Sequence, residues 1–191
     1  MAPDKSPVAL IMLDVINDLE FPEADQLLRQ ALPMAHKLAA LKRRAVEAGV
    51  PVVYVNDNYG KWRSDFKAHI DHCINDNTRG REIVELLRPS PDDYFVLKPK
   101  HSGFFSTTLD VLLDHFGART LVITGIAGNI CVLFTANDAY MRDYKIVVPR
   151  DCAASNSVED NDYALAQIER VLKGDIRVSE EVDFDELADQ G

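Results

Sequence analysis

Long apolar runs and basic clusters are both scarce in this sequence of 191 residues. The first apolar stretch lasts about seven residues before Asp14, which is too short for a signal peptide or a membrane-spanning helix. Lys and Arg number 21 against 31 Asp and Glu, which gives a net charge of −10. Such a surface repels phosphate backbones and anionic lipids, so the composition argues against nucleic-acid binding and membrane association.

Cysteine is scarce as well, with three residues at wide spacing: Cys73, Cys131 and Cys152. An odd number at this spacing fits neither a disulfide framework nor a zinc cluster. With 47% hydrophobic residues, the chain buries a full core without either device. We therefore expect a single domain over residues 1–191, in a soluble protein of the cytoplasm with reduced thiols.

Short segments rich in valine and isoleucine alternate with longer amphipathic segments along the chain. Most short segments are apolar on both faces, as in parallel strands that helices cover on both sides. The pattern predicts a Rossmann-like, three-layer α/β/α sandwich with a six-stranded parallel sheet. The strand segments are 8–15, 50–56, 94–98, 121–126, 145–149 and, more weakly, 175–179. The helical segments are 32–48, with Pro33 in its first turn, 78–88, 107–116, 129–143 and 158–173.

Cys131 follows the fourth predicted strand, at the predicted start of a helix. Open parallel sheets bind ligands beyond the carboxyl ends of their strands, so this position faces the expected site. The free amides and the dipole of a first helical turn favour a thiolate, and the small residues Gly125, Ala127 and Gly128 let a ligand approach the backbone. Free cysteines are nevertheless often core residues, so Cys131 by itself leaves packing and nucleophile both open.

Two other strand ends carry groups that would complete a nucleophile site. Asp14 ends the first strand, where it is either a cap or turn former or a general base for a thiol. Lys98 ends the third strand, where it either extends to solvent or lowers the pKa of Cys131 through its positive charge. A thiol, a carboxylate and an amine at one edge of the sheet predict a cysteine nucleophile site without histidine.

Three segments contain most of these residues: "IMLDVINDLEF", "FVLKPKHSGFFSTTLDVLL" and "LVITGIAGNICVLFTANDAYMRDYKIVVPRDCAAS". In order and spacing they resemble the isochorismatase-like cysteine hydrolases, over about residues 8–173. That superfamily includes nicotinamidases, N-carbamoylsarcosine amidases and biuret hydrolases. The resemblance implies a hydrolase that cleaves a C–N bond of a small amide, ureide or carbamoyl compound through a thioester.

The family's catalytic triad falls on Asp14, Lys98 and Cys131. Lys100 is the alternative lysine, because the segment reads "KPK", although the family's "KPxxSxF" pattern favours Lys98. The resemblance also implies a cis peptide bond between Ile126 and Ala127. Such a bond would direct the backbone amides of Ala127 and Cys131 into an oxyanion hole.

Metal-dependent nicotinamidases carry an Asp-x-His-x-His motif after the second strand, which this chain lacks. Here "VNDNYGKWRSDF" has Asp57 but no histidine before His69, so we expect no metal and no other cofactor. Loop side chains beside the triad are candidates for a substrate pocket, with ordinary loop packing as the alternative. These candidates are Asn17, Phe21, Asn58, Trp62, His101 and Phe104.

Cys73 and Cys152 are interpreted as structural, since neither belongs to the triad. The resemblance implies a small-molecule substrate and a homo-oligomer, either a dimer or a tetramer. Two other functions stay open: an isochorismatase-type vinyl ether hydrolase, and a binding protein that keeps the fold without its chemistry. The intact triad argues against the second of these, and the cysteine nucleophile argues against the first.

Overall fold

A parallel sheet between two layers of helices organises the part of the chain that the computed structural model describes, residues 5–57 and 65–190. Within these residues the sheet has six strands, and all of its pairings are parallel. The predicted three-layer sandwich is confirmed. The strands are β1 (Val8–Leu13), β2 (Val52–Asp57), β3 (Tyr94–Lys98), β4 (Thr120–Ile126), β5 (Lys145–Val147) and β6 (Ala153–Ala154).

Helices follow most of the strands, as the amphipathic segments predicted. A π-helical turn, Gly128–Val132, comes directly before α5, and a 3₁₀ turn, Ser179–Glu181, comes before α7. The helices are α1 (Ala24–Glu47), α2 (Phe66–Asn75), α3 (Arg81–Leu86), α4 (Leu109–Phe116), α5 (Leu133–Tyr140), α6 (Val158–Arg170) and α7 (Phe184–Asp189).

The strand order determines where a ligand site forms. The order is β3-β2-β1-β4-β5, with β6 paired to β4, so the chain builds outward from β1 and then returns to β1 with β4. The connections that follow β1 and β4 run in opposite directions along the sheet, and this divergence opens a crevice beyond the ends of the two strands. Leu13 of β1 lies in register with Gly125 of β4, so the residues that follow these two strands meet at the crevice.

Both faces of the sheet are buried, because alternate residues of each strand enter different cores. Leu10 and Met12 pack in one core with residues of α1, α3 and α7. Ile11 and Leu13 pack in the other core with residues of α4, α5 and α6. This double burial accounts for strands that are apolar at every position rather than at every second one.

The sixth strand lies elsewhere than predicted. The segment over 175–179 contributes an isolated bridge, from Asp175 to Val147, instead of a strand. Past this bridge Arg177 folds back to form an ion pair with Asp175. The observed sixth strand, Ala153–Ala154, is too short to produce an apolar pattern that a sequence reading detects.

The helix predicted over 32–48 begins earlier, at Ala24, so the placement of Pro33 in its first turn was wrong. Leu27, Ala31 and Met34 continue the buried stripe toward the N-terminus at helical spacing. Helices α2 and α7 were not predicted from the sequence, because they are short and mostly polar outside a few buried positions. Among the described residues no helix combines the length and the apolar character that crossing a bilayer requires, although α1 has 24 residues.

Gly125 allows β1 and β4 to approach closely next to the crevice. Its φ is +114°, and a Cβ built there would lie 2.1 Å from the Leu13 carbonyl oxygen. Gly49 provides a matched comparison after the end of α1, because its φ is +70° but a Cβ there would have nothing within 4 Å.

We predict that Gly125→Ala lowers the free energy of unfolding by about 2–6 kcal/mol, because left-handed strain and a backbone clash add together. Gly49→Ala adds only the left-handed strain, about 1–2 kcal/mol. Urea denaturation of both variants measures the difference. Equal losses in the two variants would show that the β1–β4 approach does not depend on Gly125.

Candidate active site

Asp14 stands directly after β1, where the backbone turns out of the sheet. Its φ is +52°, a left-handed conformation that aspartate tolerates better than most residues. Its Oδ1 accepts a hydrogen bond from the backbone N–H of Asp57 at 2.6 Å, and its own N–H donates to the Val55 carbonyl at 3.0 Å. The end of β2 therefore holds the carboxylate in place, and burial leaves it 6% exposed.

Lys98 stands at the end of β3 and is fully buried. Its Nζ lies 2.8 Å from Asp14 Oδ2 and 3.3 Å from Cys131 Sγ. The same nitrogen donates to the Lys100 carbonyl at 3.1 Å. An ammonium group has three N–H donors, so these three partners satisfy it completely without water.

Cys131 lies in the π-helical turn between β4 and α5. The turn is closed by hydrogen bonds from the N–H groups of Ile130 and Val132 to the Ala127 carbonyl, at 3.1 and 3.2 Å. The peptide bond between Ile126 and Ala127 is cis, as the resemblance implied. Ala127 and Cys131 are both half-buried and belong to this one turn, which places them at the end of β4.

The buried charges of this cluster change each other's pKa. Burial raises the pKa of the Asp14 carboxyl, and the positive charge of Lys98 opposes that rise. Burial lowers the pKa of the Lys98 ammonium, but the negative charge of Asp14 and the contact with Cys131 outweigh burial and raise it overall. Lys98 therefore stays cationic, and Asp14 is a stronger base than a carboxylate in water.

The pKa of the Cys131 thiol is raised overall, although Lys98 has the lowering effect that the sequence predicted. Burial raises the pKa of the Cys131 thiol to about 12, and the negative charge of Asp14 adds to that rise. Lys98 lowers the pKa as expected, but its effect is smaller than the two opposing ones. The thiol is therefore protonated at neutral pH, and it shares its Lys98 contact with the basic carboxylate of Asp14.

The geometry distinguishes the two lysines of "KPK". Lys98 occupies the space between Asp14 and Cys131, whereas the side chain of Lys100 is exposed. Only Lys98 contacts both groups, in agreement with the preference of the sequence motif.

The structure places the candidate pocket residues in different surroundings. Asn17 Oδ1 accepts from the Leu19 N–H at 2.8 Å, and Phe21 is exposed in the loop before α1. His101 is exposed, and its ring meets the edge of Phe134 on α5, with the ring centroids 5.3 Å apart. The other two candidates, Asn58 and Trp62, lie outside the described residues.

Phe104 is a core residue by its contacts. It is 3% exposed, stacks on Tyr144 with ring centroids 6.0 Å apart, and lies under the guanidinium group of Arg142. These contacts give it the packing role that the sequence analysis kept as the alternative.

The loop after Lys98 is attached to α5 by contacts that the sequence analysis did not find. Ser102 Oγ donates to Asp138 Oδ2 at 2.5 Å, and the Gly103 N–H donates to Thr135 Oγ1 at 3.0 Å. The serine of the "KPxxSxF" pattern was the only available signal. Its partners on α5 lie more than 30 residues away and follow no local spacing.

Cys73 and Cys152 are fully buried, in α2 and just before β6. Burial raises the pKa of each thiol to about 12, and neither has a lysine contact like that of Cys131. Within residues 5–57 and 65–190, no three His, Cys, Asp or Glu side chains are grouped closely enough to hold a metal ion.

We predict that Lys98→Met lowers the free energy of unfolding by about 3–5 kcal/mol at pH 8, because the buried Asp14 carboxylate loses its compensating charge. Loss of Lys98 also raises the pKa of Asp14 further, so the folded variant takes up a proton more readily and its deficit shrinks as the pH falls. Urea denaturation at pH 8 and pH 5 tests both statements. Lys100→Met is the matched control, and an equal loss there would contradict the assignment of Lys98.

We also predict that Asp14→Asn speeds alkylation of Cys131 by iodoacetamide at pH 8, since the variant loses the negative charge that raises the pKa of this thiol. Mass spectrometry of the digested protein measures labelling of each cysteine. Cys73 and Cys152 serve as internal controls with unchanged rates. Slower or unchanged labelling of Cys131 would show that Asp14 does not hold the proton on the sulfur.

Comparison with known proteins agrees with the geometry. The family model for the isochorismatase domain matches residues 8–175. The uncharacterized isochorismatase family protein YaaI of Bacillus subtilis is 44% identical over 178 residues, which cover 93% of this chain and 97% of YaaI.

Two proteins with named activities are also similar. Ureidoacrylate amidohydrolase RutB of Methylorubrum extorquens is 48% identical over 69 residues, 36% of this chain and 28% of RutB. The crystal structure of N-carbamoylsarcosine amidase from Thermoplasma acidophilum is 29% identical, with a TM-score of 0.70, and covers 92% of this chain and 98% of that one. The resemblance found in the sequence is confirmed: the chain belongs to the isochorismatase family.

Proposed function

We propose that the protein is a hydrolase that cleaves a C–N bond of a small amide, ureide or carbamoyl compound, with Cys131 as the nucleophile. The observation that carries the proposal is the buried contact of Lys98 Nζ with both Asp14 Oδ2 and Cys131 Sγ, at 2.8 and 3.3 Å. Burial of two charges and a thiol together is unfavourable for stability alone. Their position together at the crevice of the sheet favours a chemical role.

In the first half of the proposed reaction, Cys131 attacks the carbonyl carbon of the substrate. The thiol proton passes to Asp14 as the S–C bond forms, because the pKa of the thiol is too high for a resting thiolate. The carbonyl oxygen becomes an oxyanion, for which the backbone N–H groups of Ala127 and Cys131 are the proposed donors. The C–N bond then breaks, and Asp14 returns the proton to the leaving nitrogen.

In the second half, water resolves the thioester. Asp14, again a carboxylate, accepts a proton from water as the oxygen attacks the thioester carbon. The C–S bond then breaks, the sulfur takes the proton back, and an acid is released. The first half passes the thiol proton to the leaving nitrogen, and the second half replaces it with a proton from water, so the site returns to its starting state.

Lys98 has an electrostatic role in this scheme. It stays cationic because the charge of Asp14 and the contact with Cys131 raise its pKa overall, against the lowering by burial. The negative charge moves from Asp14 to the sulfur and the oxyanion during attack, and Lys98 contacts both Asp14 and the sulfur. A fixed positive charge in a buried site lowers the energy of these charged states.

The relatives support the substrate class. The proteins named ureidoacrylate amidohydrolase and N-carbamoylsarcosine amidase each have a name that specifies a bond between nitrogen and a carbonyl carbon. Of the pocket candidates, Asn17, Phe21 and His101 belong to loops that follow β1 and β3, at the end of the sheet where the site lies. We therefore extend the proposal to these three as substrate-contacting residues.

We predict that a panel of small amides, ureides and carbamoyl compounds contains at least one from which the protein releases ammonia. Cys131→Ala should lower kcat/KM for that substrate by at least about 10³-fold, since no other group in the triad forms the thioester. An enzymatic ammonia assay measures release, and Cys152→Ala is the matched control, with activity close to that of the unchanged protein.

Two outcomes would overturn the proposal. Ammonia release that persists in Cys131→Ala would exclude the thioester route. Pyruvate formation from isochorismate, at a rate that does not depend on Cys131, would support the vinyl ether hydrolase instead.

A further inference from the structure

A chain of three hydrogen bonds joins the turn that carries Cys131 to α6. The backbone N–H of Asn129 donates to Ser155 Oγ at 3.0 Å, and Ser155 Oγ donates to Asn161 Oδ1, also at 3.0 Å. The chain ends at the Ala153 carbonyl, which accepts from Asn161 Nδ2 at 3.2 Å. Ser155 is fully buried, so its hydroxyl depends on these partners.

The direction of every bond in this chain is fixed by chemistry. An N–H group only donates, so the hydroxyl of Ser155 accepts from Asn129 and uses its single hydrogen toward Asn161. A carbonyl oxygen only accepts, so the amide group of Asn161 must present Nδ2 to Ala153 and Oδ1 to Ser155. Asn161 therefore fixes the orientation of the Ser155 hydroxyl.

The carboxamide of Asn161 also occupies the space next to Gly128, the first residue of the turn. A Cβ built on Gly128 would lie 2.1 Å from Asn161 Oδ1 and 3.0 Å from Ser155 Oγ. Gly128 is buried, and its backbone packs directly on these two polar atoms. The turn thus has one hydrogen bond and one close contact to the same pair of side chains.

We propose that Asn161, acting through Ser155, is a positioning residue for the turn that holds Cys131. The N–H of Asn129 lies midway in sequence between Ala127 and Cys131, the two proposed oxyanion donors. Fixing this peptide sets the relative orientation of both donors and of the sulfur. The effect on catalysis rests on the proposed function, whereas the positioning of the turn's backbone by Asn161 and Ser155 does not.

The support for Asn161 is itself rigid. The Asp160 N–H donates to Ser157 Oγ at 3.1 Å, which caps the first turn of α6 just before Asn161. Leu165 and Ile168 anchor the following turns of α6 in the core. The position of Asn161 is therefore set by the packing of the helix rather than by the loop that it holds.

The test combines hydrogen exchange with kinetics in Asn161→Ala. We expect amide exchange in the peptide over 127–132 to become about 10-fold faster or more, while peptides of β1 and β2 stay unchanged. For any substrate that the protein hydrolyses, kcat should fall by about 10–100-fold with a smaller change in KM. Asp162→Ala, an exposed neighbour on α6, is the control with unchanged values.

Gly128→Ala provides a second variant, which disturbs the contact between the turn and Asn161 by changing the turn instead of Asn161. It should reproduce the faster exchange and the lower kcat, because the new methyl group displaces the carboxamide of Asn161. The double variant Gly128→Ala, Asn161→Ala should be little worse than either single variant, since both remove one contact.

Unchanged exchange over 127–132 in Asn161→Ala would overturn the inference, and so would fully additive effects in the double variant. Faster exchange with unchanged kcat would also overturn it, because positioning of the turn by Asn161 would then have no effect on catalysis. Absence of turnover in the unchanged protein would contradict the proposed function instead, and the exchange measurements would still decide whether Asn161 holds the turn.

Discussion

The buried ammonium group of Lys98 is the interaction on which the site depends. It lies between a carboxylate and a thiol, is fully buried, and uses all three of its donors. Without it, Asp14 would be a lone buried charge that the fold tolerates poorly. With it, Asp14 has a compensating charge beside a protonated thiol, and in the proposed reaction one proton passes between them without leaving an unpaired charge. This balance is the physical basis of the proposed chemistry.

The sheet brings these three groups together from distant parts of the chain. Asp14, Lys98 and Cys131 follow β1, β3 and β4, and the reversal of strand order next to β1 creates the crevice they share. Close approach of β1 and β4 requires Gly125, while the turn beyond it rests on Ser155 and Asn161. The sulfur thus contacts Lys98, and the turn that carries it is hydrogen-bonded to Ser155 through Asn129. We infer that both are needed for one defined position of Cys131.

Much of this arrangement was predictable from sequence, because strand ends carry the reactive residues and strands have a clear apolar pattern. The fold and the meeting of Asp14, Lys98 and Cys131 followed from such local signals, whereas the cis bond before Ala127 was implied by the family resemblance alone. The net shift in the pKa of Cys131 did not follow from the sequence, since its direction depends on how far the effect of burial exceeds that of Lys98. The role of Asn161 also depends on a contact across the fold, and β6 is too short to leave a pattern.

In the proposed reaction, Cys131 forms a covalent bond to the carbonyl carbon of the substrate. This bond can be detected by acid quenching during turnover, followed by mass spectrometry of the digested protein. We expect the peptide containing Cys131 to gain the mass of the acyl or carbamoyl group, and to lose it again when the substrate is exhausted. Sustained turnover with this peptide unmodified and the group attached to another residue would show that Cys131 is not the nucleophile.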